Sequence, residues 1–340
     1  MPADTSMKGE SRAVGPRDQP NPGTPLWRRL LELGPELGTD FHAVHGAGPR
    51  LEPTPEPTAL GEAEIVEADG FRVIDLGSPL ASRFEFFLDG IEYTRIAGYV
   101  GTIPLVHGYV AAAIRQRVQR EFRTWALIEE EVLAFPHALL PPDRLLELGF
   151  PDRALLDSRC EDPHPIRLAE EGRVAVKIRR SIIEQKLARR WSESRPHDGW
   201  LLVDGGLAVE PGLLKSGRAV GLVKSHRTQF LEPSAMADVL GMADAHRSSV
   251  FKPVRPEVGE VYSWYTRLRP PAGHDIYWGL ARIEGRAEPQ TLDRADEISR
   301  WLLSEVAPLS LPDPRWHVLL YPIRDCEQFL RARMPTLDVG

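Results

Sequence analysis

Three carboxylates and one lysine sit where the sequence could fix them on rigid elements. Asp204 closes the apolar run Trp200-Leu-Leu-Val, and Gly205 and Gly206 follow at once. A second apolar run, Ala219–Val223, delivers Lys224 at its far end. Runs of four or five apolar residues bounded by turn signals read as central strands. Asp204 then stands at a strand's C-terminal end, beside glycines that allow backbone or ligand to come close. A carboxylate on a strand end with a cation one strand away suits metal-assisted phosphate chemistry. The same residues also fit an Asp-Gly hairpin turn between two strands. Asp89 repeats the pattern, ending the compact run Phe84–Leu88 ahead of Gly90. Glu184 lies in the segment VAVKIRRSIIEQKLARRW, Val174–Trp191. At ~100° per residue, Ile183, Leu187 and Trp191 form one stripe, and Glu184 falls only about 20° beyond Trp191. It is either ion-paired with Arg180 one turn back or poised over a site.

The elements that must position these residues are legible in outline. Phe84–Leu88, Ile91–Val100 and Ile103–Ala113 read as a three-stranded antiparallel meander, with Asp89-Gly90 as its first turn. Arg115–Val132 has helical periodicity, and its basic half (Arg115, Arg117, Arg120, Arg123) either tracks phosphates or forms a solvated face. A short helix pair is expected over Asp143–Leu156, and the clearest helix of the chain is Val174–Trp191. Glu232–Pro256 reads as a linker with His246, Arg247 and Lys252 exposed. Val261–Arg269 and Asp275–Ile283 read as aromatic-rich strands. Their Arg267, Arg269 and Arg282 either hold nucleic-acid backbone or belong to a hairpin packed on a core. A helix at Asp293–Ala307, a strand at Trp316–Tyr321 and a last helix at Asp325–Arg333 complete the outline.

Composition bounds the function. The chain of 340 residues is 42% hydrophobic, enough for a sizeable core. Its two cysteines, Cys160 and Cys326, are far apart, which argues for a reduced, cytoplasmic setting and against a structural zinc site. No apolar run approaches the ~18–20 residues that span a bilayer. A net charge of −7 gives no blanket attraction to nucleic acid, so any such contact needs a local basic surface. Ten of the 31 prolines precede Thr58. Residues 1–58 therefore read as a flexible Pro-rich extension and 59–340 as one globular domain. Within the extension, Leu26–Leu37 is a short amphipathic helix suited to docking on a partner, and Leu51–Thr58 a stiff linker.

In combination the acids arrive on a strand, a mid-chain helix and a later strand, the order in which RNase H-like folds carry their metal-binding carboxylates. Hard divalent ions take such oxygen ligands and keep sites open for water and phosphate. The chain resembles the NurA nuclease family, which works beside the HerA hexameric ATPase. The resemblance is carried by FFLDG (Phe86–Gly90), RRSIIEQKLARRW around Glu184, LLVDGGL (Leu201–Leu207), VGLVKS (Val220–Ser225) and YPI (Tyr321–Ile323), and spans roughly residues 60–335.

What this resemblance implies is an α/β fold with an RNase H-like (PIWI-related) core, a mixed sheet and flanking helices. It implies a Mn²⁺- (or Mg²⁺-) dependent DNA nuclease, degrading ends 5′ to 3′ and cutting single strands, usually as a homodimer docked on HerA. By position, Asp89, Glu184 and Asp204 would be metal ligands, and Lys224 would contact the scissile phosphate. Two departures stand out. Ile91 and Gly206 occupy positions where the family has serines, and the last helix, RDCEQFLRAR, lacks the family's histidine. Asp325, Glu327 or His317 would have to supply that fourth ligand. The alternative is a catalytically weakened NurA-like subunit serving as a structural adaptor for the ATPase.

Overall fold

The computed structural model describes residues 24–44, 58–67, 70–119, 121–194, 199–207, 211–254, 260–271, 273–306 and 320–334. Among the described residues the first elements are helix α1 (Leu26–Leu33) and a 3-10 turn (Gly34–Leu37), then four short strands. These are β1 (Phe41–Ala43), β2 (Ala59–Leu60), β3 (Ala63–Ile65) and β4 (Val73–Asp75). Three long strands follow: β5 (Phe84–Val100), β6 (Ile103–Val118) and β7 (Glu121–Phe135). After α2 (Asp143–Glu147) and β8 (Leu155–Asp157) comes the 30-residue helix α3 (Pro165–Ser194). Then come β9 (Trp200–Asp204), α4 (Pro211–Ser216), β10 (Ala219–Val223), β11 (Thr228–Gln229) and α5 (Pro233–Gly241). The last third holds β12 (His246–Ser248), β13 (Phe251–Pro253), β14 (Val261–Arg267), β15 (Leu280–Arg286), α6 (Pro289–Glu305) and α7 (Tyr321–Arg331).

Among the described residues one mixed sheet of 13 strands organises these elements, with β2 and β11 paired apart from it. Its centre runs β7-β6-β5-β9-β10-β15. β6 is antiparallel to both β5 and β7, whereas β9 runs parallel to β5 and β10 parallel to β9. Helix α3 covers one face, burying Ile183, Leu187 and Trp191 against Phe86, Leu88, Leu201 and Val203. Helices α6 and α7 cover the other, with Ile298, Trp301 and Cys326 against Phe84, Phe87, Trp200 and Leu202.

The expected meander exists with different bounds. Asp89-Gly90 is no turn: both residues lie inside β5, paired with Ala113 and Ala112 of β6. The local turn signal yields because apolar neighbours flank the strand on both sides, and pairing satisfies more backbone than a turn would. The helix expected at Arg115–Val132 is instead the end of β6 and most of β7. Its residues pair from Val118↔Glu121 to Val106↔Ala134, with one register shift between Ile114 and Arg115. The helical period there competed with aromatic and β-branched content, and the long β6 template decided the outcome. Its arginines are partly consumed: Arg115 pairs with Asp325 at 2.8 Å and Arg117 with Glu305 at 2.6 Å. The helix pair expected over Asp143–Leu156 forms as α2 and a 3-10 turn (Asp152–Ala154), whose end runs straight into β8.

The N-terminal helix forms, but not as a free docking element. Leu26, Trp27 and Leu30 are buried, with Leu26 and Leu30 packed against Ala97, Leu105, Leu133 and Phe135. The Arg95 guanidinium lies 4.4 Å from the Trp27 ring centroid, and β1 pairs with β5. Residues 26–43 thus belong to the folded body rather than to an extension reaching residue 58. Residues 1–23 and the Pro-rich linker at 51–57 lie outside the described residues.

The stretch expected to be a linker, Glu232–Pro256, folds as α5, β12 and β13. Arg247 is buried there, held by Glu67 at 2.9 Å and Asp296 at 2.5 Å. β14 and β15 form the expected hairpin with β15 starting at Leu280 rather than Asp275, and the core-packing alternative holds for it. Arg267 is fully buried and donates to the carbonyls of Ile276 and Leu240. Arg282 pairs with Glu284 at 2.5 Å, so neither arginine reaches out to backbone phosphate. Of the strand expected at Trp316–Tyr321, residues 316–319 lie outside the described residues and Tyr321 opens α7 instead.

Candidate functional site

β9 ends at Asp204, and β10 beside it is parallel, with Leu222 opposite Asp204. A hairpin at Asp204-Gly205 would make these strands antiparallel, so the turn alternative is excluded. α4 makes the crossover instead. Gly205 has φ of 130°, a conformation that glycine adopts without strain. Its N–H donates to the Leu222 carbonyl at 3.0 Å, fixing the chain as it leaves the strand. Gly221, opposite, has room for no side chain, because a Cβ there would lie 2.7 Å from the Gly205 carbonyl oxygen.

Lys224 follows β10 directly and places Nζ 2.8 Å from Asp204 Oδ1. Both side chains are partly buried, at 17% and 25% exposure. The expected pairing of a strand-end carboxylate with a cation one strand over is therefore present.

Asp89 belongs to the neighbouring strand. Leu88 of β5 pairs with Val203 of β9, so Asp89 is level with Asp204 on the next strand over. Its side chain is buried, and Oδ1 accepts the Gly90 N–H at 2.8 Å. Burial first, and then the charge of Asp204, push its carboxyl well above the usual carboxylate range. Lys224 and the Gly90 hydrogen bond act against this, and Glu184 adds to it.

Glu184 comes from α3. A Cβ on Gly90 would lie 2.2 Å from Glu184 Oε1, so the glycine is what lets the carboxyl rest on the strand. Burial pushes the Glu184 carboxyl up to about 7, with Asp204 and Glu92 adding repulsion and Arg180 opposing it. The anticipated Arg180 pairing is also there, Nη1 to Oε1 at 3.8 Å, though Arg180 lies nearer to Glu92 at 3.2 Å. Glu184 is therefore both ion-paired and drawn into the electrostatics of the aspartates.

Strand parity qualifies this cluster. Phe86 and Leu88 face α3, whereas Phe87 and Ile91 face the other side, towards α7. Asp89 shares the second parity and Gly90 the first. Glu184 and the aspartates thus approach the sheet from opposite faces. Among the described residues, no group of three or more His, Cys, Asp or Glu side chains is arranged to hold a metal ion. Asp89 and Asp204, hard oxygen donors repelling each other in a desolvated place, have the chemistry that suits a divalent cation. Glu184 stands across the strand from them.

The residues offered as a fourth ligand are otherwise engaged. Asp325 pairs with Arg115, while Glu327 pairs with Arg331 at 2.9 Å and Arg324 at 3.5 Å. His317 lies outside the described residues. The α7 residue that does approach Asp89 is Cys326. Its thiol donates to the Phe87 carbonyl at 3.3 Å and is pushed well above its ordinary value by burial, then by Asp89. A contact 239 residues away in sequence left no local signal to find. Glu284 was missed as well. It is fully buried, accepts the Leu207 N–H at 2.9 Å and closes on Gly206, pinning the loop that follows Asp204. Gly206 therefore admits the protein's own carboxylate. LARIEGR held no clue to this: Glu284 shares its parity with Arg282 and Arg286, and only the burial of β15 on both faces brings it inside.

No protein-family model matches the chain, and no curated protein matches it. Among solved structures, the NurA nuclease from Sulfolobus solfataricus is similar over 76% of this chain and 81% of its own, at 13% identity and a TM-score of 0.44. Likeness at that level assigns neither membership nor activity.

Proposed function

We propose that the chain is a metal-dependent DNA nuclease, a phosphodiester hydrolase with an RNase H-like core. In finer detail, it acts as a 5′–3′ exonuclease and single-strand endonuclease with Mn²⁺ or Mg²⁺. It works as a homodimer beside a HerA-type hexameric ATPase, in DNA end processing or phage defence. The observation that carries the chemistry is Asp89 and Asp204 on neighbouring strands with Lys224 just past the end of the third, and Glu184 laid over Gly90. The order β7-β6-β5-β9-β10, with only β6 reversed and a long helix before β9, supports the RNase H-like reading of the core. DNA as substrate, the polarity and the ATPase partner rest on the sequence resemblance to NurA nucleases.

In this reading Asp89 and Asp204 would hold the cation, and Glu184, the third ligand that the resemblance implies, would have to swing past Gly90 from the α3 face to join them. Bound there, the cation supplies Lewis-acid polarisation of a phosphoryl oxygen and a water acidic enough to attack. The chain's own residues do the rest. Lys224 screens Asp204 and offers its ammonium to the charge that builds on the phosphate. Gly90 leaves space for the Glu184 carboxyl, which exchanges a proton readily near neutrality, and Glu284 fixes the loop beyond Asp204.

A second reading is a catalytically weakened adaptor of the ATPase. It is favoured by one specific observation, the absence of a closed group of three ligands among the described residues. Cleavage assays separate the two. The nuclease reading expects DNA to be nicked or degraded with Mn²⁺ or Mg²⁺ and left intact in EDTA. Asp204→Asn is expected to lower the rate by at least ~10²-fold, the scale for losing a key charge in a preorganised site. A wild-type chain that cleaves no DNA with either metal, alone or with the ATPase, leaves the adaptor.

A further inference from the structure

At the opposite end of the same parallel strands lies a cavity of about 670 Å³. Its wall carries four arginines, Arg83, Arg117, Arg218 and Arg294, and the carboxylate of Glu85, while Glu305 and Glu297 pair with Arg117 and Arg294. The fold brings them together for a simple reason. Arg83 immediately precedes β5 and Arg218 immediately precedes β10, while Trp200 is the first residue of β9. Three parallel strands thus start at one edge, and arginines at their starts converge there. Arg117 comes from the end of β6, which runs back to the same edge, and Arg294 from the first turns of α6.

The floor is rigid. Phe84 and Trp200 pack edge-on against the buried Trp301, at ring-centroid distances of 5.7 and 5.2 Å. Arg294 is stacked over Trp200 at 5.2 Å. Arg117 is fixed by two hydrogen bonds to Glu305, at 2.9 and 2.6 Å, and by one to the Phe84 carbonyl at 2.6 Å. A guanidinium has five N–H donors, so an arginine fixed by carboxylates still has donors to offer. Among the described residues, the Arg83 guanidinium has neither an ion-pair partner nor a hydrogen bond, and it is exposed at the rim.

We propose that this arginine cavity binds a phosphate monoester. Planar guanidinium forks match the oxygens of phosphate, and their hydrogen bonds to it are charge-assisted. A terminal phosphate has three free oxygens and a charge of about −1.5 to −2 at neutral pH, against −1 for a backbone diester. A concave set of arginines in a molecule of net charge −7 favours the more highly charged, better-exposed group. The phosphate is carried either by a mononucleotide or by the end of a nucleic-acid strand. The cavity is not part of the carboxylate site: Trp200 and Asp204 are the two ends of β9, four residues and about 13 Å apart at ~3.3 Å per residue.

The test is a titration of the full chain in EDTA, with Trp fluorescence and calorimetry as readouts. The probes are inorganic phosphate, a 5′-mononucleotide, and one oligonucleotide with a phosphate or a hydroxyl at its 5′ or 3′ end. Phosphate-bearing probes are expected to bind the wild type at least ~10-fold more tightly than they bind Arg83→Gln, with Arg83→Lys in between, since lysine keeps the charge and loses the fork. Thermal melting of the variants is expected to be unchanged, because Arg83 supports nothing else. Tighter binding of the phosphorylated oligonucleotide than of the mononucleotide assigns the phosphate to a strand end, and the reverse order to a free nucleotide. If no phosphate-bearing probe prefers the wild type over Arg83→Gln, the proposal is wrong. Because metal is absent and only binding is read, this outcome is independent of whether the carboxylates cut DNA.

Discussion

At the scale of single residues, Asp89 is the most exacting part of the candidate site. A buried carboxyl facing Asp204 holds its proton above the usual 3.8, so the folded state binds that proton more tightly than the unfolded chain does. Its stabilising contribution is therefore complete below the unfolded value and is lost as pH rises through the folded one. Asp89→Asn removes this dependence. Urea unfolding in EDTA is expected to show the variant more stable than wild type at pH 8, with the gap shrinking as pH falls towards 4. A wild type at least as stable as the variant at pH 8 contradicts the burial and repulsion described for Asp89. This part of the site was legible in the sequence, because an Asp after an apolar run and before glycine is a local pattern. Its facing was not. The same Asp-Gly signal read as a turn, and only the continuous 17-residue β5 shows that Asp89 and Gly90 look to opposite faces.

At the scale of elements, the site depends on α3 crossing β5 closely enough for a carboxyl to rest on Gly90. The periodicity of Ile183, Leu187 and Trp191 located the buried stripe correctly, since a helix packed on a sheet must bury one face. What periodicity could not distinguish was β7 from a helix, because its register is dictated by β6 rather than by its own residues. The α3–β5 approach has a direct test in Gly90→Ala. The added Cβ would lie 2.2 Å from Glu184 Oε1, so the carboxyl must move aside. Only the far end of a side chain is displaced, and alanine is better suited than glycine to a strand interior, so melting is expected to change little. Nuclease activity is expected to fall by roughly 10–10²-fold, as for a misplaced catalytic group. Full activity in Gly90→Ala would show that the resting position of Glu184 does not matter for cleavage.

At the scale of the whole molecule, composition drew the boundary of the folded body in the wrong place. Proline content is high up to residue 58, but the apolar residues of Leu26–Leu33 outweigh it, because the apolar patch of Ala97, Leu105, Leu133 and Phe135 on β5, β6 and β7 needs a cover. Leu26 also donates its N–H to Glu131 Oε2 at 2.6 Å, which ties the helix to β7. A truncation series separates cover from tail. Removing residues 1–23 is expected to leave the melting temperature near that of the full chain. Removing 1–44 takes away α1 and β1, uncovers that apolar patch and should lower stability sharply or prevent soluble expression. Leu30→Ala in the intact chain isolates the packing contribution. Leu30 is fully buried, and a Leu→Ala change at such a position costs about 2–5 kcal/mol, measurable as a lower urea midpoint at constant slope. If Leu30→Ala and the 1–44 truncation both unfold like wild type, the helix is dispensable to the fold and regains its candidacy as a docking element for a partner.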